Sequence, residues 1–366
     1  MLFSDTSKGA LPYQYIKSLI SSRAIKFNTP VDDAKLEDQL QSATLDSRIG
    51  DTIYRVDGFH PPSSNETVEQ VLRNSTLYSW DISSSNPNPV ERTPVKYVVK
   101  LNEHPDLPSV IYGGADTKST GGRNFFRCKL VVDNHDRYNE IPAGYSGPLF
   151  MEFSSMAFLE VLRSGDPLLQ IRFYNGDARV PDKELRELQT LKPLVFDKSD
   201  NPMPANRRLI NNGLVLTLDV ESDVVGYNAR PNHKPILYGV KGNAKKWDYW
   251  SELRSTSDGL LYTQLSDKLI LATKESVSIP DHLAARMRQY DQSITGDDKT
   301  NEAGYFDSNF SGYGVLEYVP SFDGRVLRDG MPIAVLEVER LIEPTKKPYN
   351  GNYQKQKGPK LAKQFY

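Results

Sequence analysis

The sequence predicts an all-β fold with a few short helices, arranged as two tandem domains. Three observations carry that prediction. Most of the chain consists of short apolar runs cut by Gly, Pro, Asn and Asp, with 24 Gly and 24 Pro in all, a texture typical of a β-sandwich or barrel. At 366 residues the chain exceeds the usual size of one hydrophobic core. An ordered set of landmarks also occurs twice.

Near the start, Leu11, Tyr15, Ile16, Leu19 and Ile20 fall at helical spacing and predict one short amphipathic helix. The repeat begins next. Thr44-Leu45-Asp46 returns as Thr217-Leu218-Asp219, and Tyr97 to Pro108 returns as Leu269 to Pro280 with Glu103/Glu275 and Pro108/Pro280 in step. Tyr145-Ser146-Gly147 with Glu152 returns as Phe310-Ser311-Gly312 with Glu317, and Val161 to Gly165 returns as Val326 to Gly330. Nearly constant spacing in one order reads as two copies of one β domain. Between them, Leu185, Leu188 and Leu191 predict a linking helix, and Pro202 and Pro204 a stiff connector. The expected division is a first domain over residues 1–180, a linker over 181–204 and a second domain with a C-terminal tail over 205–366.

Composition narrows the function. Hydrophobic content of 38% with 25% charged residues is ordinary for a soluble protein, and a formal charge of -2 argues against a nucleic-acid surface as the main theme. No apolar window is long enough to span a membrane, and no cleavable apolar leader is evident, so a cytoplasmic location is expected. A single cysteine, Cys128, excludes an internal disulfide and also the Cys-x-x-Cys pair of zinc-dependent base deaminases. Histidines 60, 104, 135, 233 and 282 show no ligand spacing. The expectation is a site with no metal held by the protein.

Two stretches carry chemistry. Ala303 to Glu317 reads as a β-hairpin turning at Asn309 and Gly312. If its strands pair symmetrically about Phe310, Asp307 faces Tyr313 and Ala303 faces Glu317, all on one face. A small Ala opposite a Glu, bounded by Val315, leaves a hollow for a flat ring and a water, with Glu317 as general base. An edge hairpin with an ordinary surface Glu satisfies the same pattern. In the first copy the same symmetry sets Glu152 opposite Tyr138, which should fill the hollow, and puts Pro142 where Asp307 would be. The second stretch, Lys118-Ser119-Thr120-Gly121-Gly122-Arg123, could cradle a polyphosphate: two glycines let backbone N–H groups turn to an anion, two hydroxyls donate, and two cations attract. A solvated turn is the plainer alternative. The matching segment in the second copy, Gln289 to Asp298, is acidic and would repel a triphosphate. Copy one therefore keeps the phosphate side and copy two the base side, so a composite site is expected where a first copy meets a second.

These pieces together resemble the dCTP deaminase family, in its long bacterial form with two tandem dUTPase-like domains. The resemblance rests on Ala43 to Gly50, Lys118 to Arg123, Gly144 to Gly147, Ala303 to Glu317 and the tail Tyr353 to Phe365. It implies distorted β-barrel or jelly-roll domains, ring-forming trimers with a homotrimer favoured, and metal-free conversion of dCTP to dUTP and ammonia, which supplies thymidylate synthesis. It also implies a catalytic Glu at Glu317 (Glu152 being the alternative), a water-holding carbonyl at Ala303, and catalytic roles for Ser119 and Arg123. Asp307 matches the deoxyribose-side acid, and Tyr349, Gln356 and, more loosely, Lys360 match residues that close over the nucleotide. Mg²⁺ is expected only on the substrate's phosphates. The rival expectations are a dUTPase or bifunctional deaminase/dUTPase, and a non-enzymatic nucleotide-binding or assembly protein.

Overall fold

The computed structural model describes residues 8–83, 89–230, 232–254, 256 and 258–366. Residues 1–7 of the expected first domain lie outside the described residues. The predicted first helix forms over Tyr13–Ser21 and buries Ile16 and Leu19.

The spine of the first half is a strand of 12 residues, Leu45–Val56. Its start pairs with Pro167–Asn175, which pairs with Ile111–Thr117, edged in turn by Glu140–Ile141. Its end pairs with Lys96–Leu101, followed by Leu149–Ser155 and Phe126–Val132. A register shift between Ile49 and Ile53 lets one strand serve both groups.

The second half repeats this order with the spine cut in two. Leu214–Thr217 pairs with Pro332–Arg340, then Leu283–Gln289, then Tyr305–Phe306, while Val224–Ala229 pairs with Leu269–Ser278, then Ser311–Tyr318. The repeated glutamates do the same structural work in both halves. Glu103 accepts the Arg48 N–H at 3.2 Å and Glu275 accepts the Thr217 N–H at 2.7 Å, each steadying the spine strand.

The linking helix runs over Asp182–Leu191 and buries Leu185 and Gln189. Leu191 is 80% exposed, because steps of three residues drift off a face that repeats every 3.6. Each half has its own apolar core. A third cluster joins Phe125 and Phe158 of the first half to Trp250 and Val315 of the second, with the tail residue Phe365 packed against it. Phe158 lies 5.2 Å from the Trp250 ring and Phe365 lies 5.5 Å from it. Phe125 closely follows Arg123 and Val315 closely precedes Glu317, so this aromatic joint sets the Lys118 to Arg123 loop against the carboxylate.

The symmetric hairpin over Ala303 to Glu317 does not form. Tyr305–Phe306 pairs with Leu283–Gln289 in one sheet, and Ser311–Tyr318 pairs with Leu269–Ser278 in the other. Tyr313 lies opposite Ser276, not Asp307. The turn residues behave as expected, with φ of 66° at Asn309 and 138° at Gly312, but they carry the chain from one sheet to the next. Turn chemistry reads the same for a hairpin and for a corner between sheets. The first half has the same corner: Glu140–Ile141 and Leu149–Ser155 also pair with different neighbours.

Candidate active site

A cavity of about 480 Å³ lies between the two halves and the tail, a size suited to a small ligand. The first half contributes Lys118, Ser119, Thr120 and Arg123, the second contributes Ala303, Asp307, Val315 and Glu317, and the tail contributes Tyr349 and Gln356. Residues far apart in sequence and in different halves thus share one wall.

Glu317 is 2% exposed. Its Oε2 accepts the N–H groups of Glu302 at 2.9 Å and Ala303 at 3.2 Å, so Ala303 meets Glu317 through backbone in place of strand pairing. Burial pushes its carboxyl up to about 7, outweighing the Arg123 charge and the two N–H donors that pull it down. A carboxyl held there can accept and return a proton near neutrality.

The loop Ser119–Gly122 is one helical turn. The N–H groups of Gly121 and Gly122 both bond the Lys118 carbonyl, at 2.8 and 2.9 Å, so they are not turned towards an anion as the sequence suggested. Gly122 has a different use. A Cβ there would come within 2.8 Å of the Ala303 Cβ and 3.2 Å of Glu317 Oε1, so only glycine lets the loop approach the carboxylate this closely. Gly121 packs below, near the Tyr238 hydroxyl.

Arg123 is 4% exposed and is held by the tail. Its guanidinium donates to the Lys360 carbonyl at 2.7 Å and to Gln356 Oε1 at 2.8 Å, and stacks on Tyr353 at 3.7 Å. Gln356 in turn donates to the Tyr313 carbonyl at 2.6 Å, and Thr120 and Tyr353 share a hydrogen bond of 3.0 Å. Lys118 is ion-paired with Asp46, which Gln170 and Gln41 also contact at 3.2 Å. Asp307 is 5% exposed, faces the Arg172 guanidinium at 3.8 Å, and keeps a buried Oδ1 without a hydrogen-bond partner among the described residues. Burial raises its carboxyl, against the pull of Arg172.

Two expected residues stand elsewhere. Lys360 reaches the cavity only through its carbonyl, and its ammonium bonds the Asn352 carbonyl at 2.9 Å. Glu152 lines neither described cavity; Tyr138 donates to it at 2.7 Å and Lys96 pairs with it at 3.0 Å, so the predicted contact with Tyr138 exists without the predicted strand pairing. The acidic segment of the second half is structural: Asp298 is 1% exposed and accepts from Arg325 at 2.8 Å and from the Ser321 N–H at 2.9 Å. Sequence reasoning missed Asp46, Gln170, Tyr353 and Lys363, which also line the cavity. Asp46 carried a signal as the last residue of a repeated landmark, Tyr353 and Lys363 lie in the tail that carries the resemblance, and Gln170 had no mark.

Fold and cavity define an all-β enzyme with a buried carboxylate and a basic, hydroxyl-bearing loop facing one ligand space. The family model for the 2′-deoxycytidine 5′-triphosphate deaminase N-terminal domain matches residues 7–177, and the model for its C-terminal domain matches residues 181–365. The chain belongs to the 2′-deoxycytidine 5′-triphosphate deaminase family. It is similar to the 2′-deoxycytidine 5′-triphosphate deaminase of Agrobacterium tumefaciens, whose crystal structure superposes with a TM-score of 0.83 at 27% identity over 93% of this chain and 97% of that one. It is also 26% identical over 191 residues to the "dCTP deaminase, dUMP-forming" of Persephonella marina, covering 50% of this chain and 96% of that protein.

Proposed function

We propose that this enzyme hydrolyses the C4 amine of dCTP to give dUTP and ammonia, using Glu317 and no metal held by the protein. One observation carries the reading: Glu317, buried and poised near 7, lies against the Gly122 turn and Arg123 in a single cavity. Glu317 takes a proton from a water held between its carboxylate and the Ala303 carbonyl, and the hydroxide adds to C4 of cytosine. The same carboxyl passes that proton to N3 and then relays the hydroxyl proton of the C4 adduct to the amine; the C4–O bond becomes a carbonyl, the C4–N bond breaks, and ammonia leaves. Proton transfer by a positioned group is worth about 10²–10⁴ in rate, and preorganised charge from Ser119 and Arg123 supplies much of the rest.

Lys118 and Thr120 face the triphosphate, with Mg²⁺ entering only on the substrate's phosphates. The Asp307 carboxyl accepts from the sugar hydroxyl, Val315 packs on the base, and Tyr349 and Gln356 close the site. The product feeds thymidylate synthesis in the cytoplasm, and the chain assembles as a homotrimer, which light scattering tests.

A second reading is favoured by the dUMP-forming relative: the enzyme also cleaves the product to dUMP and pyrophosphate. Incubation with dCTP and resolution of every product separates the two. Accumulating dUTP with one ammonia per dCTP is the expected result; dUMP with pyrophosphate establishes the second reading, and absence of ammonia rejects both.

A further inference from the structure

A second cavity, of about 450 Å³, lies on the far side of the tail and shares Asn352, Tyr353 and Lys363 with the first. Its lining includes Lys241, Lys246, Lys357, Lys360 and Lys363 and no Asp or Glu. The first cavity is different, since Asp46, Asp307 and Glu317 accompany its cations. None of these five lysines makes an ion pair among the described residues. Burial and the neighbouring charges of Arg123 and Lys241 depress the Lys360 ammonium, and burial with Lys118 depresses Lys363 against the pull of Asp38, Asp46 and Asp166. The aromatic side is also present: the Lys246 ammonium sits 4.0 Å over the ring of Trp247, which is 57% exposed, and 4.7 Å over that of Tyr227.

We propose that this cavity is a binding site for a linear polyphosphate, separate from the catalytic cavity. Several lysines without an ion-pair partner among the described residues lining one concavity match the dispersed charge of a polyphosphate chain. The exposed Trp247 ring beside them adds a stacking surface for a nucleoside attached to it. Resting on the role given to Arg123 above, occupancy has a consequence for catalysis. Tyr353 and the Lys360 carbonyl hold Arg123, so an anion that fixes this part of the tail also fixes Arg123.

The test uses the full-length enzyme, with inorganic tripolyphosphate and ATP as probes, and compares it with Lys241→Gln/Lys246→Gln. These two lysines lie outside the catalytic cavity. Calorimetry on the native protein is expected to give a second binding event per chain beyond the catalytic one, persisting in Lys118→Ala/Arg123→Ala. The Lys241→Gln/Lys246→Gln double variant should weaken that event about tenfold or more while leaving the KM for dCTP unchanged. In the native protein, Trp247 emission should shift on titration as Lys246 leaves the ring, and Trp247→Phe should abolish the shift. Tighter binding of ATP than of tripolyphosphate identifies a nucleotide ligand, and equal binding an inorganic one; both support the site. A single event per chain, an isotherm indifferent to the double variant, or a raised KM for dCTP in that variant overturns it, the last by making the cavity part of the substrate site. Because binding is read without turnover, failure here leaves the deaminase reading untouched.

Discussion

Glu317 sits under opposed influences, and their balance sets its chemistry. Burial favours the neutral acid, Arg123 favours the carboxylate, and burial prevails, leaving the group near 7. A base must be ionised to take a proton from water, so kcat/KM is expected to rise with pH through about 7 and then level. Arg123 holds the value down, so Arg123→Ala should move the midpoint to higher pH as well as weaken dCTP binding, whereas Arg123→Lys keeps the charge and should move it less. A pH profile of both variants checks this, and a midpoint unmoved by Arg123→Ala would separate the two residues. The residue types of this site were legible in the sequence, because few chemistries ask for a small residue, an acid and a basic hydroxyl-bearing loop in a fixed order. The outcome of the competition was not legible, since it depends on burial contributed by the other half of the chain.

Among the elements, the corner over Ala303 to Glu317 and the tail decide the site's shape. The corner brings Ala303 to Glu317 by joining two sheets, and sequence symmetry placed these residues together for the wrong reason. Alternation along each strand says which face a side chain takes, but not which strand will be its neighbour. The tail runs along the same corner: the Tyr313 N–H donates to the Gln356 carbonyl at 3.1 Å, and a Cβ on Gly312 would collide with the Gln356 backbone at 2.9 Å. Phe365 anchors its end in the aromatic joint. Phe365→Ala should therefore free the tail and let Arg123 lose the Lys360 carbonyl, raising the KM for dCTP about tenfold with a smaller change in kcat. Steady-state kinetics tests this, and an unchanged KM would mean the tail is held without its anchor.

At the scale of the molecule, the halves are joined by a buried ion pair as well as by aromatic packing. Arg172 of the first half is fully buried and donates to Glu339 of the second at 2.6 Å, with the Tyr174 hydroxyl on the other Glu339 oxygen at 3.0 Å. Removing one partner strands a buried charge, so Arg172→Ala should cost about 3–5 kcal/mol of stability in urea unfolding; a loss below about 1 kcal/mol would show that packing alone holds the joint. The repeat made the doubled β architecture readable in advance, and the same pairing order recurs in both halves. The joint was unreadable, because Arg172, Glu339, Phe158 and Trp250 have no mark in the sequence that pairs them. Which of the two repeated glutamates does the chemistry determines whether the site is shared between the halves. Ammonia release from dCTP, measured beside dCTP binding in Glu317→Gln and Glu152→Gln, decides it. The prediction is that Glu317→Gln binds dCTP but loses about 10²-fold or more in deamination, while Glu152→Gln keeps most of its activity; the reverse pattern would contradict a site shared between the halves.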